Sequence, residues 1–402
     1  MTRRERYTLL REKLMEMLEN CGDIEDAEIR AMIDTLVLES SRGEYLPIRE
    51  RVSLGKELFA SVRRLDILQD LIDDKQVTEI MVNGPDCIFI EKNGSIERYG
   101  KTFASKEKLE DVIQQIVGKC NRVVNEQNPI VDARLQDGSR VNAVVAPIAL
   151  DGPILTIRQF PEEAITMEKL IGLGSITEEA AAFLQKLVAA RYSMVIGGGT
   201  SAGKTTFLNA MSNYIPKHER IITIEDNAEL QIQGIPNLVR LEAKNANLEG
   251  NREISIRDLI KSALRMRPDR IVVGEVRSGE AVDMLQAMNT GHDGSMSTVH
   301  ANSCEDMIGR LVMMTLMAFP LPLPAIHRQI ASGVDLLIHL GRLQDRSRRV
   351  LEIAEIDGIL NDEVQTRTIF RYDDAEQKLV RTGELKHTLK LVRSGYAGDF
   401  KG

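Results

Sequence analysis

Residues 194–211 read M-V-I-G-G-G-T-S-A-G-K-T-T-F-L-N-A-M, and no other stretch restricts the fold of this chain as strongly. Gly198, Gly203, Lys204 and Thr205 satisfy G-x-x-x-x-G-K-[ST]. An apolar strand end precedes them, and a helix-forming run with Phe207, Leu208 and Met211 follows, the strand–loop–helix setting the motif requires. Glycines let backbone N–H groups curl around phosphate oxygens, and the helix N-terminus adds partial positive charge. Gly198, Gly199, Thr200, Ser201, Ala202, Gly203, Lys204, Thr205 and Thr206 are therefore the candidate nucleotide-binding set. In such loops the lysine, here Lys204, reaches the β- and γ-phosphates, and the hydroxyl of Thr205 is placed to ligate Mg²⁺. A chance glycine turn would rarely carry both flanks at ordinary glycine usage.

Around this loop the pattern alternates. Strands are expected at Ser193–Ile196, Arg220–Glu225, Asp269–Gly274 and Ser295–His300, with helical stretches between, which indicates a parallel α/β core. Thr177 is placed to cap a helix over Glu178–Ala190. Short alternating strands with an Asn361-Asp362 turn are expected from Val350 to about Val380. Upstream, residues 1–72 have helical apolar spacing (Leu9, Leu10, Leu14; Ile29, Met32, Ile33, Leu36; Leu65, Leu68, Leu71) and read as a helical module. Residues 73–160 read as a smaller α+β domain. It has strands at Thr78–Val82, Ile88–Glu91, Val141–Val145 and Ile154–Arg158, an Asn93-Gly94 hairpin, and a helix from Lys106 to about Cys120. Residues 161–176, with Gly172 and Gly174, read as a linker, and 177–402 as the ATPase core with a C-terminal extension.

Composition excludes some classes. The net charge of −8 does not favour a nucleic-acid binder, and 4% aromatic content leaves little for base stacking. The N-terminus M-T-R-R-E-R lacks the apolar core of a signal peptide. Leu311–Ile326, the nearest run to a membrane span, is interrupted by Pro320, Pro322 and Pro324. Cys21, Cys87, Cys120 and Cys304 are scattered without a C-x-x-C pair, which fits a reducing cytoplasm rather than a disulfide or zinc framework. Met313, Met314 and Met317 are expected in the core.

In a parallel α/β sheet the ligand lies beyond the carboxyl ends of the strands. Glu225 and Asp226 follow one strand, with Glu229 close behind; Glu275 follows another; His292 and His300 bracket a third. A hydrolytic ATPase needs a carboxylate near Mg²⁺, one that orients water, and polar groups that sense the γ-phosphate. Glu225-Asp226 taken alone is equally an acidic helix start; beside the phosphate loop the catalytic role is favoured. His292 and His300 are too far apart for a short metal motif, and phosphate sensing suits them better. Glu225, Glu229 and Glu275 all remain open as the working base. Arg134 and Arg140 flank an Asp-Gly turn in the α+β domain and can project from a loop as arginine fingers do.

Four phrases carry a family resemblance: G-G-G-T-S-A-G-K-T-T (197–206), I-T-I-E-D (222–226), L-R-M-R-P-D-R-I-V-V-G-E-V-R (264–277) and A-M-N-T-G-H-D-G-S-M-S-T-V-H-A-N (287–302). With D-A-R-L-Q-D-G-S-R-V-N (132–142), they resemble the secretion-superfamily ATPases of type II and type IV secretion and type IV pili. Within these the chain is most similar to the CpaF/TadA branch, the motors of tight-adherence (Flp-type) pili. The resemblance covers roughly residues 75–340. It implies that Glu225, Asp226 and Glu229 lie in an Asp box, that Glu275 is the Walker B glutamate and a candidate Mg²⁺ partner with Thr205, and that His292 and His300 belong to a His box. It implies that Arg134 and Arg140 reach the nucleotide, with Arg240, Arg265 and Arg267 as further candidates.

The expected fold class is therefore α/β: a RecA-like P-loop ATPase core preceded by the α+β domain and the helical module. The expected activity is Mg²⁺-dependent ATP hydrolysis by a homo-hexamer on the cytoplasmic face of the inner membrane, acting on membrane platform proteins, with no nucleic acid involved. The rivals are a P-loop nucleic-acid translocase and a non-hydrolysing nucleotide switch or scaffold. The cysteine-rich metal module of some type II secretion motors is missing from the sequence.

Overall fold

Helical spacing near the N-terminus becomes α1 (Arg3–Glu19), α2 (Asp26–Ser40) and α3 (Ile48–Arg63) in the computed structural model of the chain. The structure describes residues 3–19, 26–40, 46–63, 65–92, 94–120, 122–135, 137–159, 165–244 and 253–396. Cys21, Asn93, Gln136 and the first part of the expected linker lie outside the described residues. Contacts divide the chain into two units, Met1–Glu162 and Glu163–Gly402.

In the first unit, Leu10, Leu14, Ile29, Ile33, Leu54 and Leu58 give the three helices a core of their own. Leu65, Leu68 and Leu71, grouped with that module in the sequence, pack elsewhere. With α4 (Leu68–Asp73) they join the core of an antiparallel sheet. That sheet holds β1 (Val77–Asn83), β2 (Ile88–Lys92), β3 (Ser95–Arg98), β4 (Ile130–Arg134), β5 (Arg140–Val144) and β6 (Ile154–Arg158), in the order β3-β2-β1-β6-β5-β4. Helix α5 (Lys106–Lys119), N-capped by Ser105, lays Leu109, Val112, Ile113 and Ile116 on it. The i, i+3, i+4, i+7 spacing of those four makes the single buried stripe.

The second unit begins with α6 (Met167–Gly172), inside the segment expected to be a linker, and α7 (Glu178–Ala189), capped by the Thr177 hydroxyl. Its parallel strands are β7 (Met194–Gly198), β8 (Ile221–Glu225), β9 (Leu238–Glu242), β10 (Arg270–Val273), β11 (Met296–Val299) and β12 (Leu336–Arg342). They run in the order β12-β7-β11-β10-β8-β9. The helices are α8 (Lys204–Ser212), α9 (Ile256–Ala263), α10 (Glu280–Asn289), α11 (Cys304–Ala318) and α12 (Leu323–Gly333). The strands are apolar on both faces because helices cover both. Met194 and Ile196 join one core with α7 and α8, while Val195 joins the other with α9 to α12.

Two further features depart from the sequence expectation. Two of the C-terminal strands are long and all three extend the same sheet: β13 (Arg348–Leu360), β14 (Glu363–Asp373) and the short β15 (Lys378–Arg381) add antiparallel beyond β12, before the short α13 (Leu389–Arg393). Asn361 and Asp362 make the expected tight turn, both at positive φ. Met314 is buried, but Met313 and Met317 are exposed. The latter two are four residues apart on the solvent side of α11, and Met314 faces the core with Leu311. Among the described residues, no helix is long and apolar enough to cross a membrane.

Candidate functional site

The loop between β7 and α8 leaves the carboxyl edge of the sheet, where parallel-sheet topology puts ligands. Three local constraints shape it. Gly198 packs so closely that a Cβ there would stand 2.6 Å from the carbonyl oxygen of Leu340 on β12. Gly203, at φ +93°, forms the N-cap of α8, and Ser201 adopts φ +59°. These left-handed residues let the loop fold tightly over the helix N-terminus.

Lys204 is only 8% exposed. Its Nζ donates to the carbonyls of Gly198 and Gly199, both at 3.1 Å. The same ammonium is 3.8 Å from Glu275 Oε1 and 3.4 Å from His300 Nδ1. Burial holds its proton affinity below the ordinary lysine value, opposed by the charge of Glu275. Lys204 thus waits against its own loop, beside the carboxylate that ends β10.

Glu275 is the hub. Arg277 donates to its Oε2 through Nε (2.8 Å) and Nη2 (2.6 Å). His300 Nε2 stands 2.8 Å from Oε1. That contact lies off hydrogen-bond geometry, so the buried Oε1 accepts no hydrogen bond among the described residues. Burial, then the charge of Lys204, pushes the His300 pKa below its usual value against the raising effect of Glu275, which favours the uncharged imidazole. Thr298 locks the end of this strand by donating to the Gly274 carbonyl at 2.7 Å.

Glu225 lies one strand over, only 3% exposed. Its Oε1 accepts from the backbone N–H groups of Glu229 (2.8 Å) and Leu230 (2.9 Å), while the buried Oε2 has no hydrogen-bond partner among the described residues. Burial pushes its pKa up to about 7, against the lowering effect of those two amides. A Cβ at Gly274 would come within 2.9 Å of the Glu225 Cγ. The glycine before Glu275 is therefore what gives Glu225 room. Asp226 is 3.6 Å from Arg277 Nη1, and Glu229 adds its charge to the same guanidinium.

The structure thus brings together Lys204, Glu275 and His300, with Asp226 and Glu229 joined through Arg277, and Glu225 packed on Gly274. Others it places elsewhere. His292 precedes β11, at the amino edge of the sheet, where its Nδ1 meets the Ala287 carbonyl. Arg265 and Arg267 precede β10 at that same edge, away from the loop. A residue before a parallel strand and one after it are separated by the strand's whole length, about 3.3 Å per residue. Arg240 lies mid-strand on β9, bonded to the Leu230 carbonyl, and acts on Glu225 only as a nearby charge. Arg134 and Arg140 belong to the first unit, paired across the β4–β5 hairpin, with Arg134 Nε donating to the Gly138 carbonyl. Arg277 is the residue that motif matching left without a role. Its signal was the spacing, since two residues along an extended segment return to the same face as Glu275.

No three His, Cys, Asp or Glu side chains cluster as a metal site among the described residues. Mg²⁺ bound with a nucleotide takes one or two protein oxygens and otherwise phosphates and water. The unbonded Glu275 Oε1 and the half-buried Thr205 hydroxyl suit that donor set.

The chain matches the type II/IV secretion system protein family over residues 62–383. A Mycobacterium tuberculosis protein provisionally named for conjugal transfer is 36% identical over 311 residues, covering 74% of this chain and 88% of that one. The type IV secretion system protein PtlH of Bordetella pertussis is 31% identical, covering 73% and 95%. Among solved structures, the pilus retraction motor PilT with bound ADP superposes with TM-score 0.52 at 19% identity, over 82% of this chain and 86% of that one. At 19% identity the likeness to PilT is one of fold, a mixed α/β architecture.

Proposed function

The chain belongs to the type II/IV secretion system protein family, and from that premise we propose that it is a Mg²⁺-dependent ATPase motor working as a homo-hexamer. One observation carries this most directly. The phosphate-loop lysine, the carboxylate at the end of β10 and a histidine meet within 3.8 Å at the carboxyl edge of the sheet.

Each residue has a task in that chemistry. On nucleotide binding, Lys204 exchanges the Gly198 and Gly199 carbonyls for β- and γ-phosphate oxygens. The loop amides and the start of α8 bind the remaining phosphate charge. Glu275 orients the attacking water, with Arg277 fixing its carboxylate and leaving Oε1 open. His300 borders the γ-phosphate and reports its presence or loss. Thr205 directly, and Glu275 through a water, would hold Mg²⁺, which would supply charge neutralisation at the phosphates. Glu225, paired to the backbone of residues 229–230, ties that loop to the end of β10. Arg134 and Arg140 are assigned by family resemblance to the transferring phosphoryl group.

Within the family we place the chain in the tight-adherence pilus branch, acting on membrane platform proteins at the cytoplasmic face of the inner membrane. The phrases at 264–277 and 287–302 support that branch. The names of the M. tuberculosis and PtlH relatives favour a second reading, a type IV secretion or conjugation motor. Lys204→Ala in the source organism separates them: loss of surface pili supports the first, loss of secretion or transfer with pili intact the second. The motor itself is tested by ATPase rate against protein concentration, with mass from light scattering. Turnover that rises as a species of about six protomers forms is expected for a shared site. Equal turnover by a monomer overturns it.

A further inference from the structure

The β12–β13 hairpin carries Arg342, Arg346, Arg348 and Arg349 within eight residues, and neither the motif reading nor the mechanism uses them. Its position is the notable point. β12 runs parallel to β7 with Leu340 opposite Gly198, so the hairpin tip projects past the sheet edge beside the phosphate loop. There, Arg348 Nε donates to the Ser201 carbonyl at 2.9 Å. Its Cδ lies 3.4 Å from where a Cβ of Gly203 would be. One arginine therefore touches both left-handed residues of the loop. The hairpin is itself fixed, because the neighbouring Arg349 donates from Nη1 to the Leu173 carbonyl at 2.9 Å.

We propose that Arg348 is a positioning residue of the nucleotide site, holding the outer turn of the phosphate loop through the Ser201 carbonyl. Positive φ at a residue with a side chain costs energy and persists only where the surroundings enforce it. Ser201 is such a residue, exposed and with no side-chain hydrogen bond of its own among the described residues. The charged donor of Arg348 supplies the constraint and orients the adjoining peptide units so that their N–H groups face the phosphate space. Arg342 pairs with Arg348 across the hairpin, and among the described residues no hydrogen bond joins its side chain to the loop. It provides the control, since it shares the local charge but lacks the contact.

The inference rests on the loop being an ATP site, so the experiment reports on both. Full-length wild type, Arg348→Ala, Arg348→Lys, Arg342→Ala and Lys204→Ala are compared for binding of a fluorescent ATP analogue, for KM and kcat, and for melting temperature. Loss of one charge-assisted, solvent-accessible hydrogen bond predicts a Kd and KM about three- to tenfold higher in Arg348→Ala. Its kcat should change less than about twofold and its melting temperature should hold, as expected for lost binding alone. Arg348→Lys should recover part of the affinity, and Arg342→Ala should bind as wild type does. Arg348→Ala binding within about twofold of wild type, or Arg342→Ala weakening it equally, overturns the proposal. If wild type binds no more tightly than Lys204→Ala, the ATP site itself is wrong.

Discussion

Replacing Glu225 with Gln should make the protein more stable at alkaline pH and change it far less in acid. Glu225 is buried, with one carboxyl oxygen on two backbone amides and the other without a hydrogen-bond partner among the described residues. Folding raises its pKa from 4.5 to about 7. For a raised acid pKa, the native state favours the protonated form. The stability associated with that proton is complete below the unfolded value and is lost as pH rises through the folded one. A shift of roughly 2.5 units is worth about 3 kcal/mol at 1.36 kcal/mol per unit. Most of it, about 2.5 kcal/mol, falls between pH 5 and pH 8.5. Gln keeps the two amide bonds and cannot ionise. The gap in melting temperature between Glu225→Gln and wild type should widen by about 5–10 °C from pH 5 to pH 8.5, at 2–4 °C per kcal/mol for a unit of this size. Differential scanning calorimetry of both proteins across that range measures it. A gap that stays constant with pH, or narrows as pH rises, would refute the raised pKa of the buried Glu225.

Lys204→Ala should abolish nucleotide binding, seen by calorimetric titration, because the loop loses the cation held at Gly198 and Gly199. Gly198→Ala should destabilise by roughly 1–3 kcal/mol, since the clashing partner is the backbone carbonyl of Leu340 and cannot swing away; thermal melting checks it. Arg277→Ala should lower kcat at least about tenfold with KM nearly unchanged, because Glu275 loses both donors to Oε2. Steady-state kinetics that show the reverse split would assign Arg277 to ground-state binding.

Much of this was legible in the sequence because local chemistry dictated it. The 194–211 stretch forms its strand, loop and helix from glycines, apolar runs and a capping geometry that are all short-range. Glu225 and Glu275 fell at strand ends because apolar runs stop there, and both lie at the carboxyl edge. What periodicity could not supply was direction. His292 and His300 both adjoin β11, yet only the residue after the strand reaches Lys204. Arg265 and Arg267 likewise precede β10 and lie at the amino edge. Tertiary pairing was also out of reach: the contact of Gly274 with Glu225 joins neighbouring strands about fifty residues apart, and the β12–β13 hairpin beside the loop depends on a strand order that no local pattern encodes. Met313 and Met317 are apolar in type yet face solvent, since composition does not say which side of α11 a partner covers.

Hydrolysis driven by Glu275, on a nucleotide held by the loop around Lys204, is open to single-turnover measurement in Mg²⁺ with wild type and Glu275→Gln, ATP binding being titrated on the same samples. Binding within about threefold of wild type, with hydrolysis slowed at least about a hundredfold, is the predicted result for loss of a positioned base. Glu275→Gln that hydrolyses ATP at the wild-type rate would contradict it.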